Sequence, residues 1–126
     1  MDDAVTRALA HGHTIDITTT GRRTGEARRI EIVFHNIDGR LFITGTARRD
    51  RTRAWLRNLE ADPRLTVHLK GSVQRDLPAT ATIVTDPVER RRVLEWVKAN
   101  AWPQVDVDEM VAYSPLIEVT IADLAA

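Results

Sequence analysis

Two arginine-rich segments carry the residue types that could do chemistry. The first is GRRTGEARR, residues 21–29, in which Gly21 and Gly25 flank Arg22 and Arg23 and a second arginine pair follows. Backbone N–H groups of a glycine-containing turn, together with guanidinium groups, bind oxyanions and phosphates. A charged, solvated hairpin tip would use the same residues. This segment alone therefore leaves both interpretations open.

The second segment is TGTARRDRTRAW, residues 44–55, with four arginines between a predicted strand and a predicted helix. The N-terminus of a helix favours anions through its free N–H groups and its dipole. Arginines there oppose the dipole unless an anion is bound. Two separate basic turns, each beside a glycine, therefore suggest one anionic ligand that is held from both sides.

The remaining polar residues offer no self-sufficient catalytic set. The four histidines lack the spacing of a metal site and cysteine is absent, so we expect no metal, no disulfide and no thiolate chemistry. Ser72 and Ser114 have no nucleophile-elbow context. Tyr113 could line a pocket or donate a proton. If the protein is an enzyme, an external cofactor is expected to supply the reactive chemistry.

Six strands are predicted around the two basic segments. They cover residues 13–20, 28–37, 40–46, 64–70, about 73–85, and 116–122. Asp38-Gly39 predicts a type I′ hairpin. A bulge is expected at Pro78, because proline cannot donate to a strand ladder. Short turns between successive strands predict an α+β, mainly β fold in which about six antiparallel strands curl into a small barrel.

Helical signals occupy four segments, residues 2–10, 47–63, 86–102 and 105–113. Of these we expect two or three helices to flank the barrel. Asp50 or Thr52 is available to cap the second segment. Asp86, followed by proline, begins the third.

Length and composition fit one domain over residues 1–126, with 43% hydrophobic and 29% charged residues. No apolar stretch approaches the roughly 20 residues that span a bilayer. The acidic N-terminus lacks a signal-peptide pattern, and without cysteine the chain is expected to be cytoplasmic. The net charge of zero is uneven: residues 1–75 hold 14 Lys and Arg against nine Asp and Glu, whereas residues 76–126 hold four against nine. The basic part indicates an anionic ligand or partner.

The chain resembles a known family. TTTGRRTGEAR, RLFITGT and a W-x-x-N-L-x-A-x-P-x-x-T-V stretch that begins at Trp55 are similar to the deazaflavin-dependent nitroreductases. These belong to the superfamily of split β-barrel flavin and deazaflavin oxidoreductases, and the resemblance covers about residues 13–122. It implies an FMN-binding-like split β-barrel and a homodimer. It also implies that reduced coenzyme F420 donates a hydride to an electron-poor nitro, quinone or enone compound.

The resemblance also implies the residues of the site. The phosphate and acidic tail of F420 would contact arginines of both basic segments, namely Arg22, Arg23, Arg28, Arg48, Arg49 and Arg51. The tricyclic ring would lie along the end of the third strand, at Ile43, Thr44, Gly45 and Thr46. Trp55 and Asn58 would anchor the adjoining loop. Tyr113 is the candidate proton donor or acceptor-pocket residue.

Three alternatives remain open from the sequence. An enzyme of the same fold could use FMN, and a cofactor-binding protein could lack turnover. Nucleic-acid binding is disfavoured, because the basic turns hold only Trp55 where a single-strand-binding barrel presents several stacking aromatics. We therefore expect a small-molecule acceptor as the partner, with no nucleic acid and no membrane span.

Overall fold

A computed structural model describes residues 3–50 and 52–122 of the chain. It contains six strands: β1 (Thr14–Thr20), β2 (Ala27–Ile37), β3 (Arg40–Thr44), β4 (Arg64–Lys70), β5 (Gln74–Ile83) and β6 (Leu116–Ile121). All neighbouring strands are antiparallel, and they close into a barrel in the order β1-β2-β3-β6-β5-β4. The predicted mainly β barrel of six antiparallel strands is confirmed. The assignment of residues 1–126 to one domain stays a prediction.

Alternation along the strands explains their inward faces. In β1, Ile15, Ile17 and Thr19 are buried, while Asp16 and Thr18 between them are half-buried. Between β2 and β3 the chain reverses at Asp38 and Gly39, whose φ angles are 53° and 88°. Both central residues of a type I′ turn need positive φ, so the predicted hairpin is confirmed.

The predicted bulge at Pro78 is wrong. β5 pairs with β4 without interruption, and Thr66 lies opposite Pro78. The carbonyl of Pro78 accepts from the N–H of Ala122 (3.3 Å), just beyond the end of β6. Because the N and O atoms of one residue point to the same side of a strand, the missing N–H of Pro78 falls on this side. The ladder with β4 therefore loses no hydrogen bond.

The described residues form four helices around the barrel, one more than the upper number expected. They are α1 (Asp3–Leu9), α2 (Ala54–Ala61), α3 (Pro87–Asn100) and α4 (Val107–Tyr113). The carboxylate of Asp86 accepts from the N–H of Glu89 (3.1 Å), which confirms Asp86 as the cap of α3. None of the helices in the described part of the chain is long and apolar enough to cross a membrane.

α2 begins several residues later than predicted. Its N-cap position is occupied by Arg53, without a side-chain capping hydrogen bond, so the prediction of Asp50 or Thr52 as cap is wrong. Arg53 instead donates from Nη2 to Oγ1 of Thr46 (3.1 Å). This contact spans the segment ahead of α2, whose described residues, 47–50, 52 and 53, are not helical.

α1 and α2 close opposite ends of the barrel. In α1, Val5 and Leu9 are buried, and the carbonyl of Leu9 accepts from Nδ2 of Asn36 (2.8 Å). Between α1 and β1 the chain runs so close to β2 that a Cβ added at Gly12 would lie 2.4 Å from the carbonyl oxygen of Phe34. At the other end, residues of α2 join the same hydrophobic cluster as the barrel interior.

Arg90 joins α3 to α4. Its guanidinium donates to the carbonyls of Val84 (3.1 Å), Met110 (3.1 Å), Val111 (3.0 Å) and Ser114 (2.7 Å). The last carbonyls of a helix have no partner inside it, and here Arg90 supplies donors to those of α4. Burial lowers the pKa of Arg90. The contact fixes α4 on the outside of the barrel.

Candidate functional site

The arginine turn, residues 21–25, joins β1 to β2 and is closed by backbone hydrogen bonds. The N–H of Gly21 donates to the carbonyl of Glu26 (2.7 Å), and the N–H of Gly25 donates to the carbonyl of Gly21 (2.8 Å). The φ of Gly25 is 74°, in the left-handed region that favours glycine. The glycines thus reverse the chain tightly and leave the two arginines between them exposed.

Asn58 ties the arginine turn to α2. Its side chain is 4% exposed. Oδ1 accepts from the backbone N–H of Arg22 (3.2 Å) and from its Nη1 (3.4 Å), while Nδ2 donates to Oγ1 of Thr19 (3.0 Å). Thr19 is itself buried at the end of β1. One amide therefore fixes the position of the turn relative to both the barrel and the helix.

A first cleft of about 350 Å³ lies between the arginine turn and α2. Five residues that were predicted to bind a cofactor line it, and these are Arg22, Arg23, Arg28, Trp55 and Asn58. Trp55, which is 8% exposed, and Ile30 form part of its apolar wall. The cleft thus combines an apolar surface with guanidinium groups at its rim.

A second cleft of about 470 Å³ adjoins the first, since Arg22 and Ala54 line both. Its remaining lining residues are Arg48, Thr52, Arg53 and Arg57. The structure therefore brings Arg22 of the first basic segment together with Arg48 of the second. The sequence argument for one ligand held from both sides needs this arrangement.

The clefts carry positive charge that neighbouring carboxylates do not fully balance. Within residues 3–50 and 52–122, no Asp or Glu lies at ion-pairing distance from Arg22 or Arg23. Three other cleft arginines have long, exposed ion pairs, which are Arg28–Glu26 (3.3 Å), Arg48–Asp50 (3.5 Å) and Arg57–Glu60 (3.6 Å). Exposed ion pairs of this kind are weak, so they hold the arginine side chains only loosely. An anionic ligand would therefore find donors available in both clefts.

The end of β3 belongs to the wall of the barrel. Ile43 and Thr44 are 0% and 2% exposed, and Oγ1 of Thr44 donates to the carbonyl of Pro115 (2.5 Å). Gly45 and Thr46 follow, beneath the guanidinium of Arg53. Neither cleft lining includes residues 43–46. Their predicted contact with a ring stays a prediction.

Arg49 is turned toward α4 and lines neither cleft. Its Nη2 and Nε donate to Oε1 of Glu109 (2.7 and 3.1 Å), and its guanidinium carbon lies 5.0 Å from the centre of the Tyr113 ring. The hydrogen bond with Glu109 raises the pKa of Arg49. The predicted roles of Arg49 in cofactor binding and of Tyr113 in proton donation stay predictions. Arg51 lies outside the described residues.

Sequence reasoning missed three residues of the site. Arg53 and Arg57 lie four positions apart, at the start of α2 and one turn later, and such residues share a helix face. That spacing is visible in the sequence. Thr19 continues the inward face of β1 after Ile15 and Ile17, so a polar side chain there needs a buried partner. The four-residue spacing of the arginines and the alternation in β1 can both be recognised in the sequence alone.

The clefts can bind and orient a ligand but hold no reactive set of their own. Among the described lining residues of the two clefts there is no carboxylate, histidine or cysteine. Over the described residues no three His, Asp or Glu groups come together as metal ligands would. The two clefts thus offer a ligand cationic side chains and apolar surface.

Comparison with protein families and solved structures gives two findings. The F420H(2)-dependent quinone reductase family matches residues 2–121. The fold is similar to that of a conserved hypothetical protein from Mycobacterium tuberculosis (TM-score 0.70, 21% identity, 97% of this chain and 81% of that chain). It is also similar to an F420-H2 dependent reductase (TM-score 0.63, 18% identity, 85% and 93%) and to a protein solved as a domain-swapped dimer (TM-score 0.63, 18% identity, 85% and 79%).

Proposed function

Because the chain belongs to the F420H(2)-dependent quinone reductase family, we propose that it reduces a quinone-like acceptor with reduced coenzyme F420. The family makes the protein an F420-dependent reductase and coenzyme F420 its cofactor. The acceptor class is the proposal, and electron-poor nitro and enone compounds share its chemistry. The observation that supports F420 binding at this site is the pair of guanidinium groups on Arg22 and Arg23, which face the first cleft and have no carboxylate partner among the described residues.

The residues present fit the anionic part of the cofactor. F420 carries a phosphate and an acidic tail, and guanidinium groups bind both by charge-assisted hydrogen bonds. We assign the phosphate to Arg22, Arg23 and Arg28 at the first cleft. The tail would extend into the second cleft, toward Arg48, with Arg53 and Arg57 as additional cations.

The apolar part of the cofactor fits the other wall of the first cleft. Trp55 and Ile30 offer apolar surface there. Asn58 fixes the turn that carries Arg22 and so holds the cationic rim in place. Contact with residues 43–46 would run through the backbone, because the side chains of Ile43 and Thr44 are buried in the barrel wall.

Reduced F420, when bound, supplies the hydride. The chain's own residues bind the anionic tail, orient the ring and exclude water from its covered face, which lowers the barrier through positioning and electrostatics. A proton for the reduced acceptor would come from solvent or from the hydroxyl of Tyr113. If the hydroxyl supplies it, Tyr113→Phe lowers kcat, whereas solvent protonation leaves kcat unchanged.

The test is a fluorescence titration of the purified protein with F420. We expect micromolar binding, and we expect Arg22→Ser/Arg23→Ser to raise Kd about 100-fold, because each charge-assisted contact contributes about tenfold. Arg7→Ser/Arg92→Ser removes the same charge from exposed positions that line neither cleft and serves as the matched control. Its Kd should stay within about twofold of the wild type.

Three results would contradict the proposal. The first is no F420 binding at micromolar concentration. The second is FMN binding that outcompetes F420, and the third is equal effects of the two double variants. Oxidation of reduced F420 by a quinone, a nitro compound and an enone in parallel decides the acceptor class. Tight F420 binding without turnover would identify a cofactor-binding protein instead.

We also propose a cytoplasmic homodimer. The absence of cysteine supports the location, and the similar fold of a protein solved as a domain-swapped dimer supports the assembly. Size-exclusion chromatography with light scattering tests the assembly directly. A monomer at about 100 μM would contradict it.

A further inference from the structure

Two adjacent arginines of the basic loop, of which the structure describes residues 45–50, 52 and 53, have different surroundings. Arg48 lines the second cleft beside Arg22. Arg49 reaches α4, where it donates twice to the same oxygen of Glu109 and lies over the Tyr113 ring. The position of Arg48 at the cleft therefore depends on how the loop is fastened at its neighbour.

The partners of Arg49 sit on a rigidly held element. The first turn of α4 is capped by Asp106, whose carboxylate accepts from the N–H of Glu109 (3.1 Å). The far end of α4 is held by Arg90 through the carbonyls of Val111 and Met110. In the same first turn, Oδ1 of Asp108 accepts from Nη2 of Arg91 on α3 (2.8 Å), so both ends of α4 are attached to α3. Glu109 and the Tyr113 ring form a socket whose position does not depend on the basic loop.

We propose that Arg49 is a positioning residue, which locks the basic loop onto α4 and thereby places Arg48 in the second cleft. This inference rests on the proposed function for its effect on F420. It assigns Arg49 a role through Arg48 and not through direct contact with the cofactor. It also implies that the aromatic ring of Tyr113, and not its hydroxyl, contributes to cofactor affinity.

The size of the effect follows from the two contacts. An exposed ion pair and a cation–π contact at the surface each shift an equilibrium by about two- to fivefold. Together they favour the locked loop by about tenfold. A variant without them should bind F420 about five- to tenfold more weakly. The fold should be retained, because the side chains of Arg49 and Glu109 are 68% and 46% exposed.

Five variants of the full chain separate the effect of the Tyr113 ring from that of its hydroxyl, and the effect of charge from that of folding. We expect Arg49→Met, which loses both contacts, to raise the F420 Kd about five- to tenfold. Tyr113→Leu loses only the cation–π contact and should raise it about two- to fivefold. Tyr113→Phe keeps the ring and should leave the Kd within twofold. Arg49→Glu should weaken binding further, and Arg49→Glu/Glu109→Arg should recover at least half of that loss on a logarithmic scale.

A second pair of measurements tests the route through Arg48. Arg48→Ser should weaken F420 binding by about tenfold in the wild type but by less than about threefold in Arg49→Met, because an unlocked loop no longer presents Arg48. In the free protein, hydrogen exchange at residues 45–53 should be about fivefold faster in Arg49→Met. Slow exchange in the wild type that becomes faster in Arg49→Met, with no F420 binding by either protein, would reject the proposed function and support the lock. Normal F420 binding with unchanged exchange in Arg49→Met, or additive effects of Arg48→Ser and Arg49→Met, would overturn the lock.

Discussion

Replacing Asn58 by alanine should unfasten the arginine turn and destabilise the barrel end beneath it. The amide side chain is buried, accepts from Arg22 and donates to Thr19. Alanine removes all three hydrogen bonds. The turn would then lose its connection to α2, and the arginines at the cleft would lose their fixed positions.

The two partners contribute unequally to the cost. The Thr19 hydroxyl is 2% exposed and would be left without the amide, which costs about 1–3 kcal/mol. The N–H of Arg22 lies at an exposed tip and can bind water, so its loss adds only about 0.5 kcal/mol. We expect about 2–3 kcal/mol in total. With an unfolding entropy of about 2.1 cal/mol/K per residue, this lowers Tm by about 8–11 °C.

Thermal unfolding and a double-mutant cycle measure the effect. Thr19→Val removes the other buried partner, so it should cost about 1 kcal/mol less in Asn58→Ala than in the wild type. Asn100→Ala is the matched control, because the Asn100 amide donates to the carbonyl of Trp96 (2.9 Å) at an exposed helix end. It should lower Tm by no more than about 2 °C.

Asn58→Asp separates stability from binding. Aspartate keeps an acceptor for Arg22 but adds a negative charge to a cleft that we assign to an anion. F420 affinity should therefore fall about tenfold, with a smaller loss of Tm than alanine causes. A Tm for Asn58→Ala within 2 °C of the wild type would refute the reasoning, and so would a cycle that is additive within about 0.3 kcal/mol.

Three further predictions concern the packing around the site. Arg90→Met should cost about 2–4 kcal/mol in urea unfolding, because four backbone carbonyls each lose one hydrogen bond and only that of Met110 is known to keep another, from the N–H of Ser114; a loss under 1 kcal/mol would contradict this. Asp86→Ala should cost about 1 kcal/mol through the lost cap of α3, and a change below about 0.3 kcal/mol would contradict it. Burial against Trp102 lowers the pKa of His35, so the unfolded chain takes up a proton first as pH falls through about 6.5 and stability declines. His35→Phe should remove that part of the decline between pH 7.5 and 5.5, whereas His11→Gln, at an exposed position, should not.

The elements that the sequence predicts well are those with local causes. The geometry of the Asp38-Gly39 turn depends on those two residues alone. The cap of α3 depends on four consecutive residues, from Asp86 to Glu89. The inward alternation of β1 likewise needs no distant partner. These predictions were correct because each feature is determined by interactions within a short segment of the chain.

The errors arose where distant contacts decide. The start of α2 depends on Arg53 folding back onto Thr46, and no propensity in the segment encodes that contact. The contact of Arg49 with Glu109, 60 positions away in the chain, could not be predicted either, while the role of Arg49 in cofactor binding stays a prediction. Spacing identifies where arginines gather but not which way each one turns. The convergence of Arg22 and Arg48 was predictable only from the argument that separate basic turns need a common anion.

Gly12 contacts β2 at the end of the barrel that is remote from the clefts. Because of this contact, a single methyl group added at Gly12 cannot be accommodated there. The carbonyl that such a methyl would strike belongs to a strand paired on both sides, so the whole ring of strands resists moving aside. Relief would have to come from lifting α1, which uncovers Val5 and Leu9. A genetic screen for lost reductase activity should therefore recover Gly12 substitutions as thermolabile proteins whose cofactor chemistry is intact at low temperature.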